Sequence, residues 1–438
     1  MNPLAESLNE TIRSSNPHVY EMLSSLGKRF YFPTKGILPQ SGEAKKLGDP
    51  AFNATIGTAL EKGMAMNIPA LMEQLPGISP NDALLYAPSF GLPALRAAWR
   101  EKTLHDNPSL AGKGWSLPVV TAGLSHALSI LGDLFVDEGD LLILPEQNWG
   151  NYKLNFVARR GAVLSTYPLF ANGGFNLNGL DECLKKAVAE SRKKVILLLN
   201  FPNNPTGYTP LETEGTAIAA LLKQYASGGL NIVAIVDDAY YGLFFRNDMM
   251  QQSLFSKLAG LDPHLLAVKA DAATKEVYVW GLRVGFLSFS VGGEDADSAL
   301  YEALIAKVGG IIRAVVSNCS ALSQYLVAKA LKSPAFYEQR ARNVALIRSR
   351  AETVAEVLQK NDAFAEAWEP YPFNSGYFMC LKIKKVNAFD LRMHLLKDYK
   401  VGTIAISDTD LRIAFSSIEK EVVEPLFQKI YQAWKDLA

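Results

Sequence analysis

The sequence has 438 residues, and 49% of them are hydrophobic, which is enough to bury a large core and to form two lobes. Lysine plus arginine and aspartate plus glutamate both number 44, so the formal net charge is zero. This balance disfavours nucleic acid and anionic membranes as partners, because a neutral chain has no overall field that attracts them.

Short patterns disfavour several other classes of protein. No run of about 18 apolar residues predicts a membrane helix, and the polar residues 1–18 lack the apolar stretch of a secretory signal. The five histidines do not cluster, so we expect no metal site. Cys183, Cys319 and Cys380 are scattered, which favours a reducing compartment over a disulfide framework. We therefore predict a soluble, cytoplasmic α/β protein.

In chain order, short apolar segments rich in β-branched residues alternate with helical patterns. "GWSLPVVTAG" precedes the helical "LSHALSILGDLFVDEGD" and the strand "LLILP". "KKVILLLNFP" likewise precedes "ETEGTAIAALLKQYASGG" and "NIVAIVDDAYYG". Strand, helix and strand in succession predict βαβ units and a parallel sheet. In such sheets, functional groups gather just beyond the carboxyl ends of the strands.

The pattern changes from about Ser333 onward. A long charged helix, "AFYEQRARNVALIRSRAETVAEVLQK", is followed by "SGYFMCLKI", another helix, "LRIAFSS" and a closing helix. We predict a smaller α+β domain over residues 333–438, to which the N-terminal residues 1–52 also contribute. Residues 53–332 are then the large domain.

Polar residues follow two of the predicted strands. "NNPTG" (Asn203 to Gly207) follows "ILLLNFP", and Asp237 and Asp238 follow "VAIV". Taken alone, "NNPTG" is equally consistent with a tight turn that opens a helix. Either aspartate is consistent with a helix N-cap, and Tyr240 with a packing residue.

The stretch "VYVWGLRVGF" (Val277 to Phe286) has the composition of a buried strand, with Arg283 in its middle. Burying an unpaired guanidinium is costly, so an anion is expected there. Earlier in the chain, "TAGLSHAL" (Thr121 to Leu128) predicts a strand, a glycine turn and the start of a helix. Backbone N–H groups at such a helix start point toward a bound anion.

Together and in this order, the segments resemble the class I/II family of fold-type I, pyridoxal-phosphate-dependent aminotransferases. The resemblance lies in "NNPTG", "DDAY", the spacing K-x5-G-x-R-x-G and "LRIAF", and it covers about Asn53 to the C-terminus. It implies a large domain with a mostly parallel sheet between helices, plus a smaller α+β domain. It also implies pyridoxal 5'-phosphate as cofactor and transamination between an amino acid and a 2-oxo acid.

The resemblance assigns the catalytic residues. By the family's spacing, Lys275 binds the cofactor covalently and later acts as the base, whereas Lys269 lies six residues too early. Asp237 matches the carboxylate that keeps the pyridine nitrogen protonated. Asn204 and Tyr240 match the donors to the phenolate oxygen, and Asn204 also borders the substrate.

Further residues match the family's cofactor-binding positions, and Asp238 is left with a structural role. Arg283 matches the phosphate-binding arginine, and Trp149 in "NWGNYK" matches the aromatic residue that stacks on the cofactor ring, with a core position as the alternative. The remaining phosphate-binding positions match Gly123, Leu124 and Ser125. One position departs from the family: where it often has a serine, this chain has Ala272. Thr274 or a water molecule substitutes, or the phosphate is held less tightly.

Substrate binding and assembly are also implied. Arg412 matches the residue that binds the α-carboxylate, with Gly57 on the opposite wall. Tyr86 in "LLYAPSFGLPALR" matches a tyrosine that reaches the phosphate of the neighbouring subunit, which implies a homodimer; a core position within its own chain is the alternative. Arg313 in "GGIIRAVVSN" resembles the arginine that binds a distal carboxylate in the aspartate aminotransferase branch. A solvated helix residue is the alternative for Arg313.

We therefore predict transamination with glutamate and 2-oxoglutarate as one pair, and aspartate or an aromatic amino acid as the other donor. The alternatives are a β-lyase or synthase on the same fold and, less favoured, a non-catalytic aminotransferase-like regulator. The regulator would need a basic DNA-binding domain, for which the residues before about 50 leave no room. A nicotinamide oxidoreductase would need G-x-G-x-x-G after the first strand, and no such motif occurs there.

Overall fold

The centre of the fold is a seven-stranded sheet. A computed structural model describes residues 2–31, 36–295 and 298–438 of the chain. The strands in this range are β1 (Leu60–Glu61), β2 (Met64–Ala65), β3 (Val119–Thr121), β4 (Leu141–Pro145), β5 (Val163–Tyr167), β6 (Phe170–Ala171), β7 (Gly174–Phe175), β8 (Lys194–Asn200), β9 (Asn231–Asp237), β10 (Leu265–Ala272), β11 (Gly285–Ser290), β12 (Trp368–Pro370), β13 (Met379–Ile383), β14 (Ile404–Ala405) and β15 (Asp410–Ile413). The central sheet has the order β3-β11-β10-β9-β8-β4-β5. All of its strands except β11 run in one direction, which confirms the predicted α/β class with a mostly parallel sheet.

Helices cover both faces of the central sheet. The helices are α1 (Pro3–Ser15), α2 (Pro17–Met22), α3 (Ser25–Arg29), α4 (Ile37–Leu47), α5 (Pro69–Met72), α6 (Pro80–Leu84), α7 (Pro93–Asp106), α8 (Leu124–Phe135), α9 (Leu177–Ala189), α10 (Glu212–Ser227), α11 (Leu254–Leu258), α12 (Ala273–Glu276), α13 (Ala299–Val315), α14 (Ala321–Leu331), α15 (Phe336–Lys360), α16 (Ala388–Asp398) and α17 (Val423–Leu437). Apart from their first residues, β8 and β9 are buried on both faces, as their unbroken apolar runs predict. Among the described helices, none has the length and apolar character needed to cross a membrane.

One edge of the central sheet collects the ends of strands that run in opposite directions. The amino end of β11 pairs with the carboxyl end of β10 on one side, where Gly285 is opposite Ala272. On its other side, Gly285 is opposite Thr121 at the end of β3. The residues just before β11 therefore lie at the same edge as the residues just after the parallel strands.

A second, four-stranded antiparallel sheet lies in the C-terminal part of the chain. Its order is β12-β13-β15-β14, and Cys380 of β13 is opposite Arg412 of β15. The N-terminal helix α4 reaches this sheet through Gln40, whose side-chain amide exchanges hydrogen bonds of 2.9 and 3.0 Å with the backbone of Ala405. The division of the chain at residues 52 and 332 stays a prediction.

Despite its strand-like composition, Val277 to Phe286 does not form one buried strand. Helix α12 ends at Glu276, a helical turn covers Trp280–Leu282, and β11 begins only at Gly285. Tyr278 and Arg283 have positive φ angles of 58° and 53°, which cannot continue a strand. Arg283 consequently lies on a turn, and its side chain is exposed rather than buried.

Candidate active site

The carboxyl edge of the central sheet brings together most of the residues that the sequence singled out. Asn200 at the end of β8 is opposite Asp237 at the end of β9, and Asp237 is also opposite Ala270 of β10. The chain continues from these strand ends to Asn204, Tyr240 and Lys275. Polar side chains on neighbouring strands therefore meet at one place.

Lys275 occupies the last turn of the short helix α12. Its Nζ atom lies 4.6 Å from the centre of the Tyr240 ring. Burial lowers the pKa of Lys275 to about 8; Asp237 opposes this effect, whereas Arg283 and Arg412 add to it. The neutral form of this amine is consequently far more populated near physiological pH than that of an ordinary lysine, and a neutral amine is a nucleophile and a base.

Asp237 is buried, and two donors hold its carboxylate in place. The Tyr152 hydroxyl donates to Oδ2 at 2.6 Å, and the backbone N–H of Ala239 donates to Oδ1 at 3.0 Å. Burial raises the pKa of Asp237 to about 6, although Tyr152, Ala239 and Lys275 pull it down. The sequence interpretation missed Tyr152. Its only signal is its place three residues after Trp149 in "NWGNYK".

Arg412 is a fully buried cation with neutral partners. Its Nη1 donates to Oδ1 of Asn204 at 3.0 Å, and its Nη2 donates to the carbonyl of Thr55 at 2.8 Å. The guanidinium also lies 4.1 Å from the centre of the Phe378 ring. Within the described residues, its Nε has no hydrogen-bond partner and no carboxylate forms an ion pair with it. Burial lowers the pKa of Arg412 to about 10 because the charged form is poorly solvated there. An anion from outside the chain would stabilise this charge.

Arg283 and the glycine turn before α8 form a close pair. A Cβ atom on Gly123 would lie 2.4 Å from Nη2 of Arg283, so only glycine allows the guanidinium this position. Leu124 and Ser125 supply the first N–H groups of α8, where no acceptor exists within the helix. The Ser125 hydroxyl accepts a hydrogen bond from the side-chain amide of Asn151 at 3.4 Å. A cation, a hydroxyl and free N–H groups at one helix start can bind an anion.

Next to Lys275, the position expected to hold a serine is filled by the buried Ala272. Thr274 is also buried, and its hydroxyl has no hydrogen-bond partner in the described part of the chain. This hydroxyl is consistent with the prediction that Thr274 replaces the missing serine, which stays a prediction.

The walls of the site are aromatic. Trp149 is partly buried and meets Tyr152 edge-on at a ring distance of 5.6 Å. On the other side, a Cβ atom on Gly57 would lie 3.2 Å from the Phe378 ring and 3.5 Å from the Tyr240 hydroxyl. Gly57 therefore leaves room between this wall and Tyr240.

Two predicted site residues lie apart from this group. Tyr86 is 89% exposed, so the alternative of a core position within its own chain is wrong. Arg313 is exposed at the end of α13 and donates to the hydroxyl of Ser317. The Ser89 hydroxyl donates to the Ser317 carbonyl at 3.2 Å, which brings the segments of Tyr86 and Arg313 together. Their predicted roles require a second subunit.

Lys269 and Asp238 do not take part in the site. Nζ of Lys269 lies 2.7 Å from the carboxylate of Asp238 and 2.6 Å from that of Asp271. Both partners of Lys269 are buried. Lys269 is therefore neutralised within the chain, in contrast to Lys275.

The chain is similar in sequence to proteins named as aminotransferases. The chain is 30% identical over 281 residues to a probable aspartate/prephenate aminotransferase of Aquifex aeolicus, an alignment that covers 63% of each chain. It is 26% identical over 246 residues to an aspartate aminotransferase of Saccharomyces cerevisiae, designated cytoplasmic, with 55% of each chain covered. These alignments span less than two thirds of the relatives' own lengths.

The fold has solved counterparts. An aminotransferase from Anaerococcus prevotii superposes with a TM-score of 0.83 at 22% identity, covering 94% of this chain and 98% of that chain. At this identity the likeness establishes the fold alone. The sequence pattern of the family described as aminotransferase class I and II matches residues 57–430, which is most of the chain. The protein therefore belongs to the aminotransferase class I and II family.

Proposed function

We propose that the protein is a pyridoxal-phosphate-dependent aminotransferase that moves an amino group between an L-amino acid and a 2-oxo acid. One observation carries the proposal. At the carboxyl edge of the central sheet, an amine with a pKa of about 8 lies beside the guanidinium groups of Arg283 and of Arg412, which comes from β15 of the four-stranded sheet. Neither guanidinium forms an ion pair within the described residues. A ligand with a carbonyl group would react with the amine and its phosphate would pair with Arg283, while a substrate carboxylate would pair with Arg412.

The residues present fit pyridoxal phosphate. This cofactor would interact with three features of the site. They are the hydroxyl of Thr274, which is unpaired within the described residues, the guanidinium of Arg283 where it packs against Gly123, and the buried carboxylate of Asp237. When bound, it supplies a sink for the electrons released at the α-carbon of the amino acid. The residues that would hold it are Lys275, Asp237, Tyr240, Asn204, Trp149, Arg283, Gly123, Leu124, Ser125 and Thr274, with Tyr86 from a second subunit.

The chain's own residues would divide the work as follows. Arg412 binds the α-carboxylate of the amino acid, because two of its nitrogens are already aimed by Asn204 and Thr55 while Nε is without a partner. Nζ of Lys275 removes the proton from the α-carbon and later returns a proton. Asp237, oriented by Tyr152, remains a buried carboxylate that stabilises positive charge next to it.

The substrate pair is the next part of the proposal. We propose glutamate with 2-oxoglutarate, and aspartate or an aromatic amino acid as the other donor. The printed names of the Aquifex and yeast relatives refer to aspartate. The exposed guanidinium of Arg313 would bind a distal carboxylate in the neighbouring subunit, which discriminates in favour of dicarboxylic substrates.

The proposed assembly is a homodimer with shared sites. Apolar side chains more than 40% exposed are frequent in the segment that ends at Tyr86, namely Met64, Met72, Leu75, Leu84 and Leu85. A second copy with an isologous interface would cover them. An inactive Lys275→Ala chain mixed with an inactive Tyr86→Ala chain should then regain part of the activity, because a hybrid dimer contains one intact site. No recovery after proven subunit exchange would contradict the shared site.

A cytoplasmic location completes the proposal. It is supported by three cysteines that are all free and buried, and by the designation of the yeast relative.

A donor screen tests the proposed reaction. Amino acids are offered with 2-oxoglutarate, and formation of glutamate is measured for the parent, Arg313→Ala and the control Lys307→Ala, an exposed residue of the same helix. We expect dicarboxylic or aromatic donors to react fastest, and we expect Arg313→Ala, but not Lys307→Ala, to slow the formation of glutamate. If alanine or branched donors react fastest and Arg313→Ala has no effect, the role of Arg313 is wrong. Release of ammonia and an oxo acid without 2-oxoglutarate would indicate a lyase instead.

A further inference from the structure

A second group of buried charges lies directly behind the candidate site. We call it the buried ion network, and each of its charged side chains is at most 12% exposed. It contains three cations and four carboxylates. Its members are Lys102, Asp106, Asp238, Lys269, Asp271, Glu276 and Arg340. The proposed reaction uses none of these groups.

One half of the network holds the residue that follows Lys275. Oε2 of Glu276 forms an ion pair with Nζ of Lys102 and lies 3.7 Å from Nη2 of Arg340. Both cations also bind Asp106, at 2.9 Å from Lys102 and 3.2 Å from Arg340. Burial alone would raise the pKa of Asp106, yet the two cations hold it well below its usual value. Glu276 is thus fixed between helices α7 and α15.

The other half holds the residue that follows Asp237. Lys269 binds the carboxylates of Asp238 and Asp271, and the Ser253 hydroxyl donates to Asp238 at 2.6 Å. The ring of Tyr241 connects the halves, because Nζ of Lys269 and Nζ of Lys102 lie 5.4 and 5.7 Å from its centre. Each reactive residue is therefore followed by a buried carboxylate that anchors the backbone on the side away from the site.

Arg340 carries this connection into the C-terminal part of the chain. It lies in the long helix α15, and its guanidinium packs against Gly242. A Cβ atom on Gly242, which has φ +81°, would lie 2.0 Å from Nη2 of Arg340, so a larger residue would displace the arginine. The chain therefore leaves space for this arginine at the turn after Tyr240.

We propose that Glu276, held by Lys102 and Arg340, is a positioning residue that fixes the direction of the Lys275 side chain. This inference rests on the proposed function, and it identifies the contacts that keep Lys275 in position for that function. Helix α12 has only four residues and is followed by Tyr278 with φ +58°. So short a helix has little stability of its own, and tertiary contacts must hold it. Backbone contacts hold α12 in two places: Ala273 donates its N–H to the Val284 carbonyl at 3.1 Å, and the Tyr377 hydroxyl donates to the Lys275 carbonyl at 3.5 Å. The ion pairs of Glu276 are the charged side-chain contacts that attach its last turn to α7 and α15.

The test compares Glu276→Gln, which has nearly the same shape, with Arg392→Met as a control. Arg392 is also buried and forms an ion pair with Glu43, but it belongs to α16 near the four-stranded sheet.

For each folded variant we measure the rate at which the cofactor-free protein takes up pyridoxal phosphate covalently, and then kcat and KM for the amino donor. Positioning predicts a kcat of Glu276→Gln lower by roughly 10- to 100-fold and slower uptake, because small displacements of a reacting group are costly. KM, which reports on Arg412, should change by less than about threefold. Arg392→Met should lower the unfolding temperature and leave uptake and kcat unchanged.

A double variant distinguishes loss of positioning from the effect of leaving a buried charge unpaired. It also replaces Glu276→Gln in the test if that single variant does not fold. Lys102→Met with Glu276→Gln removes both charges, so no unpaired charge between these two residues remains buried. We expect the unfolding temperature to recover relative to Lys102→Met while uptake and kcat stay low. Recovery of kcat in the double variant, or parent-like uptake and kcat in Glu276→Gln, would overturn the proposal. Equal slowing by Arg392→Met would overturn it as well. A parent protein that takes up no pyridoxal phosphate would overturn the proposed function itself and this inference with it.

Discussion

Two neighbouring groups of charges, the candidate site and the buried ion network, differ in what neutralises them. In the network, every cation binds at least one carboxylate of the chain; Lys269, for example, lies within 2.7 Å of two. In the site, neither Lys275 nor Arg412 has an ion-pair partner among the described residues, and Asp237 is held by neutral donors. A buried charge without a partner lowers the stability of the folded state. Its presence in the site therefore indicates that a bound small molecule supplies the missing partner. The two lysines, 269 and 275, illustrate the contrast within seven residues of chain.

The largest expected effect is on catalysis. Lys275→Met should lower kcat/KM for transamination by about 10⁴-fold or more, because it removes the amine proposed both to bind the cofactor covalently and to transfer the proton. The variant should still fold, since this amine has no ion pair to lose. Steady-state kinetics and a thermal unfolding curve measure both effects. Retention of activity within tenfold of the parent would contradict the role of Lys275.

The same substitution at the other lysine should affect stability instead. Lys269→Met would leave Asp238 and Asp271 buried without their cation, which should lower the free energy of unfolding by about 3–5 kcal/mol. Denaturant unfolding of the cofactor-free protein measures this, with Lys275→Met as the matched control. If both variants lose the same stability, the contrast between site and network fails.

A smaller effect is expected at Arg412, the proposed substrate-binding arginine. Arg412→Lys keeps a positive charge but loses the planar guanidinium, which hydrogen bonds to Asn204 and Thr55 hold in one orientation. We expect kcat/KM for amino acids to fall about 100-fold, equivalent to roughly 2.7 kcal/mol. Uptake of pyridoxal phosphate should be nearly unchanged. An equal loss in both measurements would mean that Arg412 supports the cofactor or the fold rather than the substrate.

The smallest effect is a gain of stability. Burial raises the pKa of Asp237 from 3.8 to about 6, so the ionised carboxylate destabilises the cofactor-free protein above pH 6 and not below pH 4. Asp237→Asn should therefore be more stable than the parent by about 1–3 kcal/mol at pH 8, and the difference should shrink as the pH falls through 6 toward 4. Denaturant unfolding at several pH values measures it. A difference that does not depend on pH would contradict the raised pKa.

Asn204, Asp237 and Tyr240 of the candidate site could be singled out from the sequence because they follow strand ends, and strand ends of a parallel sheet meet at one edge. Their roles, and the choice of Lys275 and Arg412, came from the resemblance to the family. The network could not be predicted, because Lys102 and Glu276 are 174 residues apart and nothing in their local sequence marks them as partners. Tyr152 was missed for a similar reason, since its contact with Asp237 crosses 85 residues. The strand-like composition of Val277 to Phe286 was misleading about the burial of Arg283, because composition does not reveal the positive φ angles of Tyr278 and Arg283.

Covalent uptake of pyridoxal phosphate tests the central claim most directly. The cofactor-free protein is incubated with pyridoxal phosphate at a series of pH values, reduced with borohydride and mapped by peptide mass spectrometry. We predict that the label lies on Lys275 and not on Lys269. Because the neutral amine reacts and its pKa is about 8, the uptake rate should rise with pH and level off above that value. Absence of label, or label on Lys269 instead of Lys275, would contradict the account.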